Sequence, residues 1–303
     1  MRVKFRSGLL VPVALILSAL GALAQGTAPI YPTPQDALEA LVGAIRTGSV
    51  ETAINSIDPS AGDLVQSDDP VQLARTMKDL LAEYSAGYRF VPGAADFVTI
   101  ELGEDGWPFP VPLVKRAGGW AFDTEAARDE IRNREIGGNE LEIIEILHAY
   151  VGIQSDYRKV DHDADGVLEF AASIISSTGK RDGLFWPGGD SPVGDIAARA
   201  SLDGYAEAGS DKSAEPLFGY YFRILTAQGA SAPGGAMSYL VNGNMVAGHA
   251  ALAVPSEFGE TGIHTFLVSE AGTVYQADLG ENSLDIGFGM TTFDLADGWE
   301  PVE

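Results

Sequence analysis

From Phe218 to Leu279 apolar and polar positions alternate in short runs separated by turn residues. Tyr220, Phe222 and Ile224 fall on one side of the first run and Tyr221, Arg223 and Leu225 on the other, the period of two that predicts a strand. Met245–Val254 is a second run, entered through Asn242-Gly243, a dipeptide that tolerates the positive φ angles of a tight hairpin. Ile263–Val268 and Thr273–Leu279 follow, parted by Glu270-Ala271-Gly272. Together they predict an antiparallel sheet.

Upstream the period changes to that of helices. Thr33 caps a first helix with Pro34 at its first position, and Leu38, Leu41, Val42 and Ile45 form its apolar stripe before Gly48. Ser49 opens a second helix to Ile57. Asp69-Pro70 opens a third, with Val71, Ala74, Met77, Leu81 and Tyr84 on one face. Phe97–Leu102, Pro110–Lys115 and Trp120–Phe122 read as strands, and Asp123 caps a helix to about Asn133. Gly137-Gly138 then marks a boundary. Beyond it, Asn139 with Glu142 resembles a capping box and starts a broad-striped helix reaching Tyr157. Further helices are expected over Val167–Ser176, from a Ser191 cap to Ala200, and near Leu284–Met290. The expected class is α+β in two domains, residues 33–136 and 139–303.

The first 24 residues change where this protein is expected to work. Arg2, Lys4 and Arg6 precede an apolar run, Leu9–Leu23, ending in an A-x-A site, the pattern of a signal peptide cleaved after Ala24. Residues 25–32 are expected to be a flexible lead-in. The address is periplasmic or secreted, with no membrane span left after removal. The chain has no cysteine, so the fold rests on its cores alone. Its formal net charge of −24 over 303 residues excludes nucleic acid as an expected partner and favours cations.

One motif carries specific chemistry. Asp161, Asp163 and Asp165 alternate ahead of Gly166, a spacing that aims three oxygens at one hard cation; the Val167 carbonyl and Glu169 stand at the next two ligand positions. Position 12, where an EF-hand carries a bidentate glutamate, is Ala172. Calcium is the candidate ion, at an expected affinity of ~10⁻⁴ to 10⁻³ M. The competing explanation is an acidic turn capping the helix expected after it. His162 is expected to be exposed rather than a ligand.

Other chemistry is less well supported. His148, His162, His249 and His264 form no H-E-x-x-H. Ser191 lacks the G-x-S-x-G context and reads as a helix cap. His249 and His264 read as satisfied sheet histidines. Leu184, Phe185 and Trp186 are expected to pin a long loop onto the core, with a sugar or peptide groove beside Lys180 and Arg181 as the alternative.

Gly-Lys-Arg-Asp-Gly-Leu-Phe-Trp-Pro (179–187), Gly-Tyr-Tyr-Phe-Arg-Ile-Leu-Thr-Ala-Gln-Gly (219–229), Val-Asn-Gly-Asn-Met (241–245) and Thr-Gly-Ile-His-Thr-Phe (261–266) resemble the exported bacterial domain-of-unknown-function family numbered 2950. That resemblance implies export and no particular reaction. Helix 139–157, Gly219-Tyr-Tyr-Phe-Arg and the hairpin from Ala253 to Tyr275 are similar to the globular heads of type IV pilin-like proteins. The helices and meander of residues 33–136 resemble the nuclear-transport-factor-2-like cone. The combined expectation is a non-enzymatic periplasmic binding or assembly module, its partner an envelope protein or ligand, with no oligomeric state implied. The alternative is a periplasmic hydrolase or isomerase acting in the N-terminal cone, where Asp96, Glu101 and Asp123 are the candidate pocket acids.

Overall fold

The computed structural model describes residues 27–65, 69–94, 96–203 and 214–302, so the expected signal peptide lies outside the described residues. The chain divides into two units, Met1–Arg134 and Glu135–Glu303. Both helices and antiparallel sheets are present, as an α+β chain requires.

The first unit opens with helices α1 (Pro34–Arg46), α2 (Val50–Ile57) and α3 (Pro70–Ala86). Thr33, Ser49 and Asp69 each accept a hydrogen bond from a first-turn amide, as expected of caps. Strands β1 (Tyr88–Pro92), β2 (Phe97–Leu102), β3 (Trp107–Pro108), β4 (Leu113–Arg116) and β5 (Gly119–Phe122) form one antiparallel sheet. Its order is β1-β2-β4-β5, with β3 against β2. Leu38, Leu41, Val42 and Ile45 of α1 pack with Val98, Ile100, Leu102 and Leu113 in this unit's core. On α3 Met77, Leu80, Leu81 and Tyr84 are half-buried against this core, whereas Val71 and Ala74, expected on the same face, are exposed. The lead-in is anchored at its end, contrary to the flexible segment expected. Tyr31 and Trp120 exchange backbone hydrogen bonds at 2.7 Å, and the Tyr31 hydroxyl donates to the Ser56 carbonyl at 2.7 Å.

Helix α4 (Thr124–Tyr157) is continuous over 34 residues, where two helices separated by Gly137-Gly138 were expected. Gly137 is helical with no heavy atom near a would-be Cβ, so the glycine costs propensity without breaking the helix.

In the second unit, β6 (Ser173–Ile175) and β7 (Gly183–Phe185) pair in parallel, followed by α5 (Asp195–Arg199). Then come β8 (Tyr220–Leu225), β9 (Ala227–Gln228), β10 (Met237–Ser238), β11 (Leu240–Val241) and β12 (Asn244–Met245). They are followed by β13 (Ala250–Pro255), β14 (His264–Ser269), β15 (Val274–Asp278), α6 (Ser283–Gly289) and β16 (Glu300–Pro301). The main sheet runs β16-β15-β14-β13-β8, antiparallel throughout. Asn242 and Gly243 take φ of 55° and 97°, the expected hairpin turn, but they join β11 to β12 rather than feeding the sheet directly. The run Met245–Val254 breaks at Gly248, whose φ is 139°. Ile143, Leu147 and Tyr150 of α4 pack with Leu252, Val254, Phe266 and other side chains of the sheet in the core of this unit.

Candidate functional site

Where α4 ends at Tyr157, the chain turns into the aspartate loop. Asp161, Asp163 and Asp165 bring carboxylate oxygens within 4.8 Å of one another. The loop's own amides hold those carboxylates. Asp161 accepts from Ala164 and Gly166 at 2.8 and 2.9 Å, Asp163 from Asp165 at 3.3 Å, and Asp165 from Val167 at 2.7 Å. Gly166 has φ +88°, a conformation in which a side chain would be strained. Asn244 on the hairpin donates to the remaining Asp165 oxygen. The Gly166 hydrogen bond, above other contributions, holds the Asp161 carboxyl below its ordinary range.

The helix expected over Val167–Ser176 does not form. Burial draws Phe170 and Ala171 into the core, and their backbone finds partners outside the segment. The Phe170 amide donates to the Met245 carbonyl at 2.8 Å. The buried Gln154 side chain binds Ala171 twice: its Nε2 donates to the carbonyl and its Oε1 accepts from the amide, both at 2.9 Å. Extended chain leading into β6 results. No helix N-terminus therefore stands behind the three aspartates, and the macrodipole explanation of their clustering fails.

Glu169 spends one oxygen on the Met245 amide at 2.9 Å. Burial pushes its carboxyl up, and the three aspartates push the same way against that hydrogen bond. The structure brings together the three aspartates, hard oxygen donors of the kind calcium takes, and does not include Glu169 in that group. Ala172 packs against the core and supplies no ligand, so the set lacks a bidentate member.

His162 is half-buried rather than free on the surface. Its ring stacks on Tyr157 with centroids 4.1 Å apart and leans on Trp186 at 5.5 Å. Its Nε2 lies 3.2 Å from the Tyr157 carbonyl, so the ring packs the loop instead of reaching into it. The Tyr157 hydroxyl donates to the Arg181 carbonyl at 2.6 Å. Trp186 Nε1 donates to Asp190 at 2.7 Å, while the Arg181 guanidinium lies 5.0 Å from the Trp186 centroid and 2.9 Å from Asp190. Leu184 and Trp186 are buried and pin this segment to the core, as expected.

The other candidates disperse. Asp96 faces Lys115 at 3.8 Å, Glu101 pairs with Arg89, and Asp123 caps α4 by accepting from Ala126 at 3.2 Å. Each of the three is taken up by a separate local partner. Ser191 donates to the Val193 carbonyl at 2.8 Å and caps nothing; α5 starts only at Asp195. His264 Nδ1 lies 3.1 Å from Glu140, whose Oε1 also accepts from the Ile263 and His264 amides at 2.8 and 2.9 Å. His249 is buried with no partner for Nδ1, so it is not the satisfied histidine expected. Glu140 and Gln154 were missed in the sequence because each reads as an ordinary polar position of α4.

Among the described residues no helix is long and apolar enough to cross a membrane. No curated protein and no solved structure matches the chain. The pilin-head and cone likenesses therefore find no support among solved structures. The model of a family described as "Protein of unknown function (DUF2950)" matches residues 28–302, nearly the whole chain, and the protein belongs to that family.

Proposed function

We propose that this is an exported envelope protein, its leader removed after Ala24, that works as a non-enzymatic binding or assembly module stabilised by weakly held calcium. The observation that carries the reading is the convergence of Asp161, Asp163 and Asp165 within 4.8 Å, held by neutral loop amides and not by a helix terminus. Like charges held that close favour any state that adds a cation between them. The dispersal of Asp96, Glu101 and Asp123 into local ion pairs and a cap supports a module without acid–base machinery in the first unit. The order of elements still favours a pilin-like head for the second unit and a cone for the first.

Thermal melts of the mature chain in calcium, magnesium and chelator test the ion. Calcium at tenfold or more over the expected ~10⁻³ M upper limit raises the melting temperature by a few degrees, and magnesium does so less. Asp163→Ala abolishes the calcium increment and leaves the chelated protein no less stable. Equal melting temperatures for the wild-type chain in calcium and in chelator would retire the site. Fractionation of the native host tests the address, which fails if the chain stays with the cytoplasm at its full length.

A further inference from the structure

A trough of about 900 Å³ opens between the β6–β7 connection and the segment following β7. That volume lies in the range of small-molecule sites. Half-buried Ile175, Phe185 and Val193 line it, together with exposed Ser177 and Thr178. Two cations, Lys180 and Arg181, line it as well.

The charges on this trough are unequally committed. Asp190 is held by Trp186 and Arg181, Asp195 by Arg199 at 2.7 Å, and Asp182 accepts from the Ser177 amide at 2.7 Å. Arg181 is taken up by Asp190 and the Trp186 ring. Lys180 has only a contact at 4.0 Å with the half-buried Asp182, and at that distance, with the lysine exposed, the pair is worth little. Of the two cations lining this trough, Lys180 is therefore the one without a close ion pair, with the Asp182 carboxylate 4.0 Å away.

The lining also decides against two common occupants. A sugar would stack on an open aromatic face, but Trp186 is 4% exposed, with Arg181 and His162 against its ring. A peptide adding to a strand would need free backbone groups. Here the Ser176 amide is bound to Phe185, the Gly183 amide to Ser176 Oγ and the Val193 amide to Leu184. An apolar lining beside one loosely paired ammonium suits a different chemistry.

We infer that the trough between residues 175–181 and 185–195 binds a small amphiphilic anion, its aliphatic body on Ile175, Phe185 and Val193 and its carboxylate or phosphate at Lys180. The inference goes beyond the proposed module and does not rest on the calcium loop. It is tested in chelator, with the mature chain, by displacement of the fluorescent anion 8-anilinonaphthalene-1-sulfonate. Decanoate and decyl phosphate, kept below micelle formation, distinguish the two head groups. Decyl maltoside supplies the chain without charge, and inorganic phosphate the charge without a chain.

One or both anionic amphiphiles displace the probe, while decyl maltoside and phosphate alone do so at least tenfold more weakly. Lys180→Ala weakens the effective anion by about tenfold, the scale of one charge-assisted hydrogen bond. Thr178→Trp, which fills the trough from an exposed position, removes binding at unchanged melting temperature. Displacement that is the same in wild type, Lys180→Ala and Thr178→Trp overturns the site. Equal competition by decyl maltoside and decanoate overturns its preference for anions. Neither result bears on calcium, whose melts are read separately.

Discussion

His249 makes stability of the second unit depend on pH in a calculable way. Its side chain is 1% exposed, between the Tyr150 ring at 5.2 Å and the Phe170 ring at 4.6 Å, and Nδ1 has no partner. Burial, with the Arg158 charge as a smaller contribution, lowers its pKa from 6.5 to about 4. The unfolded chain therefore binds this proton more readily than the folded one. The contribution is fully present above pH 6.5, falls as pH drops, and is exhausted near pH 4. A difference of about 2.5 units at 1.36 kcal/mol each gives a loss of about 3 kcal/mol across that window. Such a loss is a large share of the ~5–15 kcal/mol that holds a typical domain. His249→Phe keeps a flat ring in the slot and removes both the titration and the unpaired nitrogen. Urea unfolding of both proteins at pH 7, 6, 5 and 4.5 isolates the effect, because Glu169 and every other titrating group are shared. The expected result is a variant at least as stable at pH 7 whose advantage grows by about 2.5 kcal/mol on acidification to pH 4.5. Parallel stability curves for the two proteins refute the reasoning.

Two further substitutions test the contacts that hold the loop and the sheet. Gln154→Leu leaves the Ala171 amide and carbonyl without their partners; at ~1–3 kcal/mol for each orphaned buried group, urea unfolding should show a loss of about 2–5 kcal/mol. Little change would mean that those groups find other partners. Glu140→Ala removes the acceptor of the Ile263 and His264 amides and the neighbour of His264 Nδ1, and amide exchange at Ile263 and His264 should rise well above that of Val268 in mid-strand. Unaltered protection at both would show that the start of β14 is held by the sheet alone.

What was legible in the sequence follows from how local the physics is. The caps Thr33, Ser49 and Asp69 act on amides within three residues, so the starts of α1 to α3 can be read from the sequence. Period-two patterning likewise foretold β8, and runs bounded by turn residues foretold β14 and β15, since each signal lies within the strand or beside it. Gly137-Gly138 misled because glycine propensity is a penalty of about 1 kcal/mol per residue, which the flanking helix overcomes. Val167–Ser176 misled for the opposite reason. Its apolar spacing suits a helix, but Gln154 and Met245, distant in sequence, supply better partners to the extended chain.

The same distinction governs the candidate sites. Asp161, Asp163 and Asp165 are found by spacing alone because one short loop brings them together, and Gly166 supplies the backbone turn the spacing demands. The trough is assembled from residues 175–181 and 185–195, and its significance lies in which charges are already paired. Lys180 and Arg181 are adjacent and chemically alike in the sequence. Only the fold places Arg181 against Trp186 and Asp190 and leaves Lys180 at the limit of contact with Asp182. Tyr157 and His162 join these two levels: the ring that packs the aspartate loop also rests on the tryptophan lining the trough. A change in the loop that moved His162 would thus alter the surroundings of Trp186, and with them the ring on which Arg181 rests.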